Sequence, residues 1–337
     1  MKKNSFILSL YLLAAGICAC GGQQGYTVSG ECPGSEGIAV LAYRSPEGGD
    51  VRDTVQIADG KFCFSGKTDE VVMGQLIVVP KEQKPQSYFL FLENCPLKLQ
   101  DGKIAGGPNN DFMRAMEAVG DAVDKEDPEY QSLLKEAMNA FFAQNPDVEA
   151  AAFMYHVFNR DTPLEQYEEG FAKFSERVQK SFLGKNAADE IAARKATAEG
   201  TVAPGFNLEG ISGDRVSLED MRGKYVLLDF WASWCRPCRA SMPHLKEVYA
   251  AYKDKGLEIV GISIDTDNDA WRKAVADDQT PWVHVIDSRT GGGQGSDIAK
   301  IYGVRAIPTL FMVDSDGNMI GKIEHDELDA RLATLLH

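Results

Sequence analysis

Two cysteines with two residues between them, Cys235 and Cys238, stand where an apolar run meets a helical repeat. Tyr225-Val226-Leu227-Leu228-Asp229-Phe230 is almost unbroken in apolar character, as expected for a strand buried on both faces. From Pro237 to about Lys255 the residues Met242, Leu245, Val248, Tyr249 and Tyr252 recur at helical spacing. A proline at the helix entrance sacrifices no hydrogen bond. This strand–turn–helix brings both sulfurs within one helical turn. The pair can therefore alternate between dithiol and disulfide with little backbone movement.

The same placement sets Cys235 at a helix N-terminus, where free N–H groups and the positive dipole end favour a thiolate. Arg236 adds positive charge. Such surroundings bring a thiol pKa from about 8.5 towards roughly 3.5–7.5. Cys235 is thus the expected nucleophile, and Cys238, further into the helix, the expected resolving thiol. The two competing readings are half a zinc site and an inert bridge. A four-cysteine zinc site needs a second C-x-x-C pair, which the sequence lacks, and no H-x3-H pairing follows. A bridge closing so short a loop restrains the unfolded chain little.

The segment from about Thr201 to Ile323 resembles the thioredoxin fold, and more closely the TlpA/ResA-like membrane-tethered disulfide reductases. The residues that carry the resemblance are Ala203-Pro204-Gly205-Phe206, the run from Gly223 through Trp234-Cys235-Arg236-Pro237-Cys238, and Met242-Pro243. Tyr302-Gly303-Val304, Ala306-Ile307-Pro308-Thr309 and Asp314-Ser315-Asp316-Gly317 extend it. The resemblance implies that Pro308 is a cis-proline packed beside the redox pair, where neighbouring backbone binds an extended substrate. It implies that Trp234, Arg236, Pro237 and Ile307 shape the docking surface with Pro308. It also matches Asp229 to the buried carboxylate of thioredoxins, whose desolvation raises its pKa so that it takes the Cys238 proton through a water. A strand-end carboxylate held by backbone N–H groups is the alternative for Asp229. Relatives often carry Glu three residues after the second cysteine, where this chain has Ser241. That departure weakens a specifically cytochrome c-directed role and leaves thiol–disulfide exchange untouched. A thiol peroxidase is disfavoured, because Leu228 and Ala232 stand where that family places Pro and Thr or Ser.

The N-terminus reads Met1-Lys2-Lys3, then a mostly apolar run from Phe6 to Ile17, then Cys18-Ala19-Cys20-Gly21. This is a secretory signal, too short to span a bilayer. Ile17-Cys18-Ala19-Cys20 resembles a bacterial lipobox, with Cys20 as the lipidated first residue of the mature protein; Cys18, after an Ile17 too bulky for the cleavage position, is the weaker alternative, and plain secretion with Cys20 unmodified is the other. The expected location is the bacterial cell envelope, lipid-anchored and facing the periplasm. An oxidising compartment supplies no reduced glutathione pool, so a reductase there needs electrons across the membrane. A membrane thiol transporter of the DsbD/CcdA kind is the expected donor, and disulfide-containing proteins the expected substrates. A surface ligand-binding lipoprotein with incidental thiols is the non-enzymatic rival.

Short strand candidates separated by turn signals fill Tyr26 to Leu99. Asp59-Gly60 between alternating segments predicts a hairpin. The pattern suggests a small β-sandwich, and it resembles the β domain of uncharacterised function that often precedes a TlpA-like domain. In an oxidising compartment Cys32 and Cys63 are the candidate structural disulfide, with Cys95 left over; three buried free thiols are the equal alternative. Helical spacing then covers Phe112–Val123, Tyr130–Gln144, Val148–Phe158, Pro163–Phe182 and Ala187–Ala198. The resulting chain is multidomain: a signal peptide over 1–19, a β-rich domain over 20–105, a helical region over 106–199 and an α/β thioredoxin-like domain over 200–337.

A net charge of −15 argues against nucleic-acid binding. The five histidines form no metal-ligand spacing. Gly291-Gly292-Gly293-Gln294-Gly295 lacks the Lys-Ser/Thr of a phosphate loop. Asp265, Asp267 and Asp269 alternate as calcium ligands do, but Ala276 stands where such a loop needs Glu, so acidic caps of a strand-to-helix loop explain them better. No metal or cofactor is expected.

Overall fold

The computed structural model of the 337-residue chain describes residues 25–33, 35–287 and 296–336. Cys18, Cys20, His337 and the glycine-rich stretch 291–295 lie outside the described residues. The chain divides into two compact units. One comprises Met1–Tyr155 and Lys173–Gly184, the other His156–Ala172 and Lys185–His337. The helical stretch 106–199 is therefore shared between the units.

The first unit carries β1 (Tyr26–Glu31), β2 (Gly37–Arg44), β3 (Asp50–Ile57), β4 (Lys61–Gly66), β5 (Val72–Pro80), β6 (Gln86–Leu92), β7 (Pro96–Gln100) and β8 (Lys103–Ala105). They form two four-stranded sheets, β4-β1-β7-β8 and β3-β2-β5-β6. Burial alternates along β5, with Val72, Gly74, Leu76 and Val78 inside and Gln75 exposed. That is the period-2 pattern of a strand with one face on a core. Val28, Phe64 and Leu97 of one sheet and Leu41, Leu76 and Leu90 of the other belong to one apolar cluster.

The turn at Asp59-Gly60 forms as expected, with positive φ of 51° and 70° and reciprocal Ala58–Lys61 backbone bonds of 2.9 Å. Its flanking strands do not continue as a hairpin: β3 joins β2, while β4 crosses to β1. The same dipeptide at Asp101-Gly102 does close a hairpin, between β7 and β8. The expected Cys32–Cys63 bridge is absent, and both residues are thiols, as is Cys95. Strands β1 and β4 are indeed neighbours, but their register sets Cys63 opposite Ser29. Cys32 lies three residues beyond Ser29, about 10 Å along a strand. A disulfide needs Cα atoms within about 7 Å.

The helices α1 (Pro108–Asp121), α2 (Tyr130–Ala143), α3 (Glu149–Asn159), α4 (Leu164–Phe171), α5 (Glu176–Lys180) and α6 (Lys185–Ala196) follow. The segment expected as one helix over Pro163–Phe182 is two. The chain passes from the second unit back to the first at Lys173, and Ser175 is extended with φ −62° and ψ 153°. Within the first unit a buried polar cluster ties the sheet to its helices. The Glu93 carboxylate accepts from the Asn109 backbone N–H (3.1 Å), Asn109 Nδ2 (3.0 Å) and Asn110 Nδ2 (3.1 Å). Asn109 Oδ1 accepts from Ala150 N–H at 2.8 Å, and its Nδ2 also donates to Glu149 at 3.3 Å. Arg177 of α5 pairs with Glu149.

The second unit adds β9 (Asn207–Gly210), β10 (Arg215–Ser217), β11 (Tyr225–Trp231), α7 (Arg236–Tyr252), β12 (Leu257–Ser263), α8 (Asn268–Asp278), β13 (Val283–Ile286), α9 (Asp297–Ile301), β14 (Thr309–Val313), β15 (Met319–Ile323) and α10 (Leu328–Leu335). Among the described residues its sheet runs β10-β9-β13-β12-β11-β14-β15. The centre, β11-β12-β13, is parallel and joined by α7 and α8, while β14 returns antiparallel beside β11. Every residue of β12 is buried, as is β11 from Val226 to Trp231, which accounts for the continuous apolar runs. Helix α6 belongs to this unit, where Glu190 pairs with both Arg194 and Arg305.

Asn109→Ala removes the donor to Glu93 and the acceptor for Ala150 N–H in one step. Leaving buried polar groups unpaired should lower the unfolding free energy of the first unit by roughly 2–4 kcal/mol. Urea denaturation reads this as a lower midpoint; an unchanged midpoint would show that the cluster contributes no net stability.

Candidate active site

Strand β11 ends at Trp231, and the chain turns through Ala232-Ser233-Trp234 into α7. Asp265 holds that turn. Its carboxylate accepts from Ser233 N–H (2.8 Å), Ser233 Oγ (2.7 Å) and Ser263 Oγ (2.7 Å), and it is buried. Asp265 was not singled out as functional in the sequence. Only its position, two residues past the end of β12, signals it, and that becomes informative once β12 is known to lie beside β11. Asp267 is the N-cap of α8, accepting from the Asp269 and Ala270 N–H groups, as the reading of acidic caps expects.

Cys235 is the N-cap residue of α7 and is joined to Cys238 in a disulfide, with Cα atoms 5.3 Å apart. The Cys238 backbone N–H points at Cys235 Sγ from 3.2 Å. On reduction that N–H, with the rest of the first helical turn, faces the sulfur and favours its thiolate form. Both sulfurs are recessed: Cys235 is 4% exposed and Cys238 1%. Trp234 beside them is 64% exposed, and Arg236 and Pro237 are exposed too. The Ser241 hydroxyl donates to the Cys238 carbonyl at 2.7 Å and so caps the backbone, offering no charge to the pair.

The peptide bond between Ile307 and Pro308 is cis, and both residues are half-buried. The Ile307 carbonyl oxygen lies 3.8 Å from Cys235 Sγ. A disulfide sulfur has no proton to donate, so this is a contact in the oxidised state. The loop carrying it is tied from behind by the Arg305–Glu190 ion pair, whose carboxylate comes from α6. Cys235 and Ile307, distant in sequence, thus meet at one sulfur, with Trp234 and Pro308 as their chain neighbours.

Asp229 lies in the middle of β11, between β12 and β14. It is 1% exposed, and neither carboxylate oxygen has a hydrogen-bond partner. The alternative of a carboxylate held by backbone N–H groups is therefore not what the fold contains. Burial pushes its pKa up to about 7 from 3.8. A group poised there can hold or release a proton near neutrality. Among the described residues no cluster of three or more His, Cys, Asp or Glu could hold a metal ion.

Residues 200–321 match the AhpC/TSA family and residues 26–113 match a domain of unknown function, DUF4369. The chain is 35% identical over 137 residues to the thiol-disulfide oxidoreductase ResA of Bacillus thuringiensis subsp. konkukian, covering 41% of this chain and 76% of the relative. With the Bacillus subtilis ResA it shares 30% identity over 130 residues, 39% of this chain and 69% of the relative. The chain belongs to the ResA-like thiol–disulfide oxidoreductases. The crystal structure of the thioredoxin domain of a thiol-disulfide oxidoreductase from Bacteroides vulgatus aligns with 34% identity and a TM-score of 0.39, over 42% of this chain and 99% of that one. The AhpC/TSA match over residues 200–321 covers the disulfide-bearing domain, and residues 26–113 fall to a family without an assigned role.

The buried carboxyl makes a signed prediction. Below pH 4 Asp229 is protonated folded and unfolded alike. Between about 4 and 7 the unfolded chain releases that proton while the folded one keeps it, so stability falls as pH rises through this window. Asp229→Asn should therefore match the parent near pH 4 and unfold at higher temperature above pH 7. The gain is on the order of 1.4 kcal/mol for each pH unit between the two values. Thermal melts of both oxidised proteins across this range test it; identical melts throughout would mean that Asp229 titrates normally.

Proposed function

We propose that the chain is a lipid-anchored disulfide reductase of the bacterial cell envelope, acting on protein disulfides from the periplasmic side. The observation that carries the reading is a disulfide capped by the first turn of α7, with the Ile307 carbonyl at 3.8 Å and exposed Trp234 at its rim. In the reduced enzyme the Cys235 thiolate attacks one sulfur of a substrate disulfide. The substrate S–S bond breaks, a Cys235–substrate S–S bond forms, and the other substrate sulfur leaves as thiolate. Asp229 then accepts the proton of Cys238 through a water. The Cys238 thiolate attacks Cys235 Sγ, forming the enzyme disulfide and releasing the second substrate thiolate. Two electrons pass from the enzyme dithiol to the substrate. The Ile307-Pro308 wall and Trp234 supply the docking surface, with Arg236 and Pro237 at its edge.

Each turnover leaves the enzyme oxidised, so a membrane thiol transporter of the DsbD/CcdA kind returns the electrons. Thioredoxin-like couples near −270 mV favour reduction of substrates, while a couple near −120 mV would favour oxidation. Cys20 carries the lipid anchor after removal of residues 1–19, and several acyl chains hold a protein at a membrane where one does not. No helix of the described residues is long and apolar enough to cross a membrane. The two N-terminal sheets are read as a small β-sandwich. The AhpC/TSA match does not favour a peroxidase, since Leu228 and Ala232 replace the residues that chemistry needs.

Insulin reduction tests the cycle. Cys235→Ser should fall to the uncatalysed rate, and Cys238→Ser should accumulate mixed disulfides with envelope proteins, identified by mass spectrometry after non-reducing separation. An unimpaired Cys235→Ser variant would sink the mechanism. Cys20→Ser should move the protein from the membrane fraction to the soluble periplasmic one.

A further inference from the structure

Strands β11, β12 and β13 set Asp229, Gly261 and His284 in one row across the sheet. Asp229 is in register with Gly261, and Gly261 with His284. Residues in register across adjacent strands project to the same face, and the strands lie about 4.8 Å apart. The row therefore holds a carboxylate, a gap and an imidazole in succession. The gap is filled from the side. A Cβ on Gly261 would stand 2.5 Å from His284 Nδ1 and 3.1 Å from Trp231 Nε1, so both nitrogens lie over this glycine, the strand neighbour of Asp229. Trp231, two residues on from Asp229, shares its face of β11. Asp229 Oδ1, Asp229 Oδ2, Trp231 Nε1 and His284 Nδ1 are all buried without a hydrogen-bond partner. Buried polar groups are almost always paired, so four such atoms without a protein partner in one neighbourhood need an explanation.

We propose that His284 is a positioning residue for the proton on Asp229, and through Asp229 for the deprotonation of Cys238. The proposal rests on the role given to Asp229 above. His284 Nε2 is 2.7 Å from Thr280 Oγ1, a hydroxyl that both donates and accepts. When Asp229 is ionised, the Thr280 O–H donates to Nε2 and the ring offers Nδ1–H across Gly261. When Asp229 takes the Cys238 proton, the ring keeps Nδ1–H and Nε2 still accepts from Thr280, so the donor favours the ionised carboxylate over the neutral one. The ring keeps one tautomer and stays neutral, since burial holds its pKa near 4.

The other groups around the cluster do not supply this proton. Asp278 of α8 acts on His284 through its charge but is engaged by Arg239 in two bonds of 2.8 and 2.7 Å. Tyr249 of α7, whose ring meets Trp282 next to His284, has its hydroxyl pushed up to about 12 by burial. From α7 there is also the redox thiol Cys238 itself. β12 contributes only Gly261 to the row, and β14 places apolar Leu310 opposite Asp229.

The test follows the reduced full-length protein against an aromatic disulfide, 5,5′-dithiobis(2-nitrobenzoate), whose second released thiolate reports resolution by Cys238. Without the Nδ1–H donor the ionised carboxylate is less stabilised, so Asp229 holds its proton to higher pH. His284→Leu should shift the pH midpoint of resolution upward by roughly one unit, a tenfold slower step below the midpoint. His284→Asn, whose amide stands where Nδ1 does, should restore the midpoint. Gly261→Ala, which displaces the ring while keeping it, should act like His284→Leu and serves if that variant does not fold. In an Asp229→Asn background His284→Leu should add no further shift. An unmoved midpoint in His284→Leu and Gly261→Ala, or a shift persisting without Asp229, overturns the proposal. If Asp229→Asn alone leaves the profile unchanged, the role of Asp229 itself is what fails.

Discussion

Strand β11 is hydrogen-bonded along both edges, to β12 and to β14, and buried on both faces from Val226 onward. Water is excluded from that stretch, and the chemistry of the site depends on that exclusion. It turns an ordinary aspartate into one with a pKa near neutrality. The same strand has no freedom to move, so the turn that leaves it delivers Cys235 at a fixed place. Asp265 closes the arrangement from β12 by binding Ser233 through both backbone and side chain.

Two buried carboxylates a few residues from the disulfide are thus treated in opposite ways. Asp265 has donors on each oxygen and acts as a clamp. Asp229 has none and keeps its capacity to bind a proton. The first unit shows the same contrast from the other side. Glu93 is pushed up by burial but held back by the donors of Asn109 and Asn110, a structural use of a buried charge. Asp229, Trp231 and His284, by contrast, each keep a buried polar atom without a protein partner.

Local sequence carried much of the architecture. The run Tyr225–Phe230, the proline at the entrance of α7 and the positive-φ turns all formed where side-chain periodicity and backbone sterics require. What local signals missed was non-local. Asp59-Gly60 turns the chain as its φ preference demands, yet its two strands go to different sheets, because sheet membership is decided by which apolar faces meet. The Cys32–Cys63 expectation had the right strand neighbours and the wrong register, and a three-residue offset suffices to keep two thiols apart. Pro163–Phe182 read as one helix because its apolar spacing is continuous, whereas the chain leaves one compact unit for the other in its middle.

The sequence by itself determined the redox pair, its place at a helix start and the fold that surrounds it. Those features arise from residues close together in the chain, where spacing and propensity act directly. Only the tertiary structure decided that the Ile307 carbonyl lies against Cys235, that Asp265 fastens Ser233, and that His284 lies over Gly261 in the row that begins with Asp229. Each joins residues tens of positions apart, and strand order and register, which no local pattern encodes, bring them together.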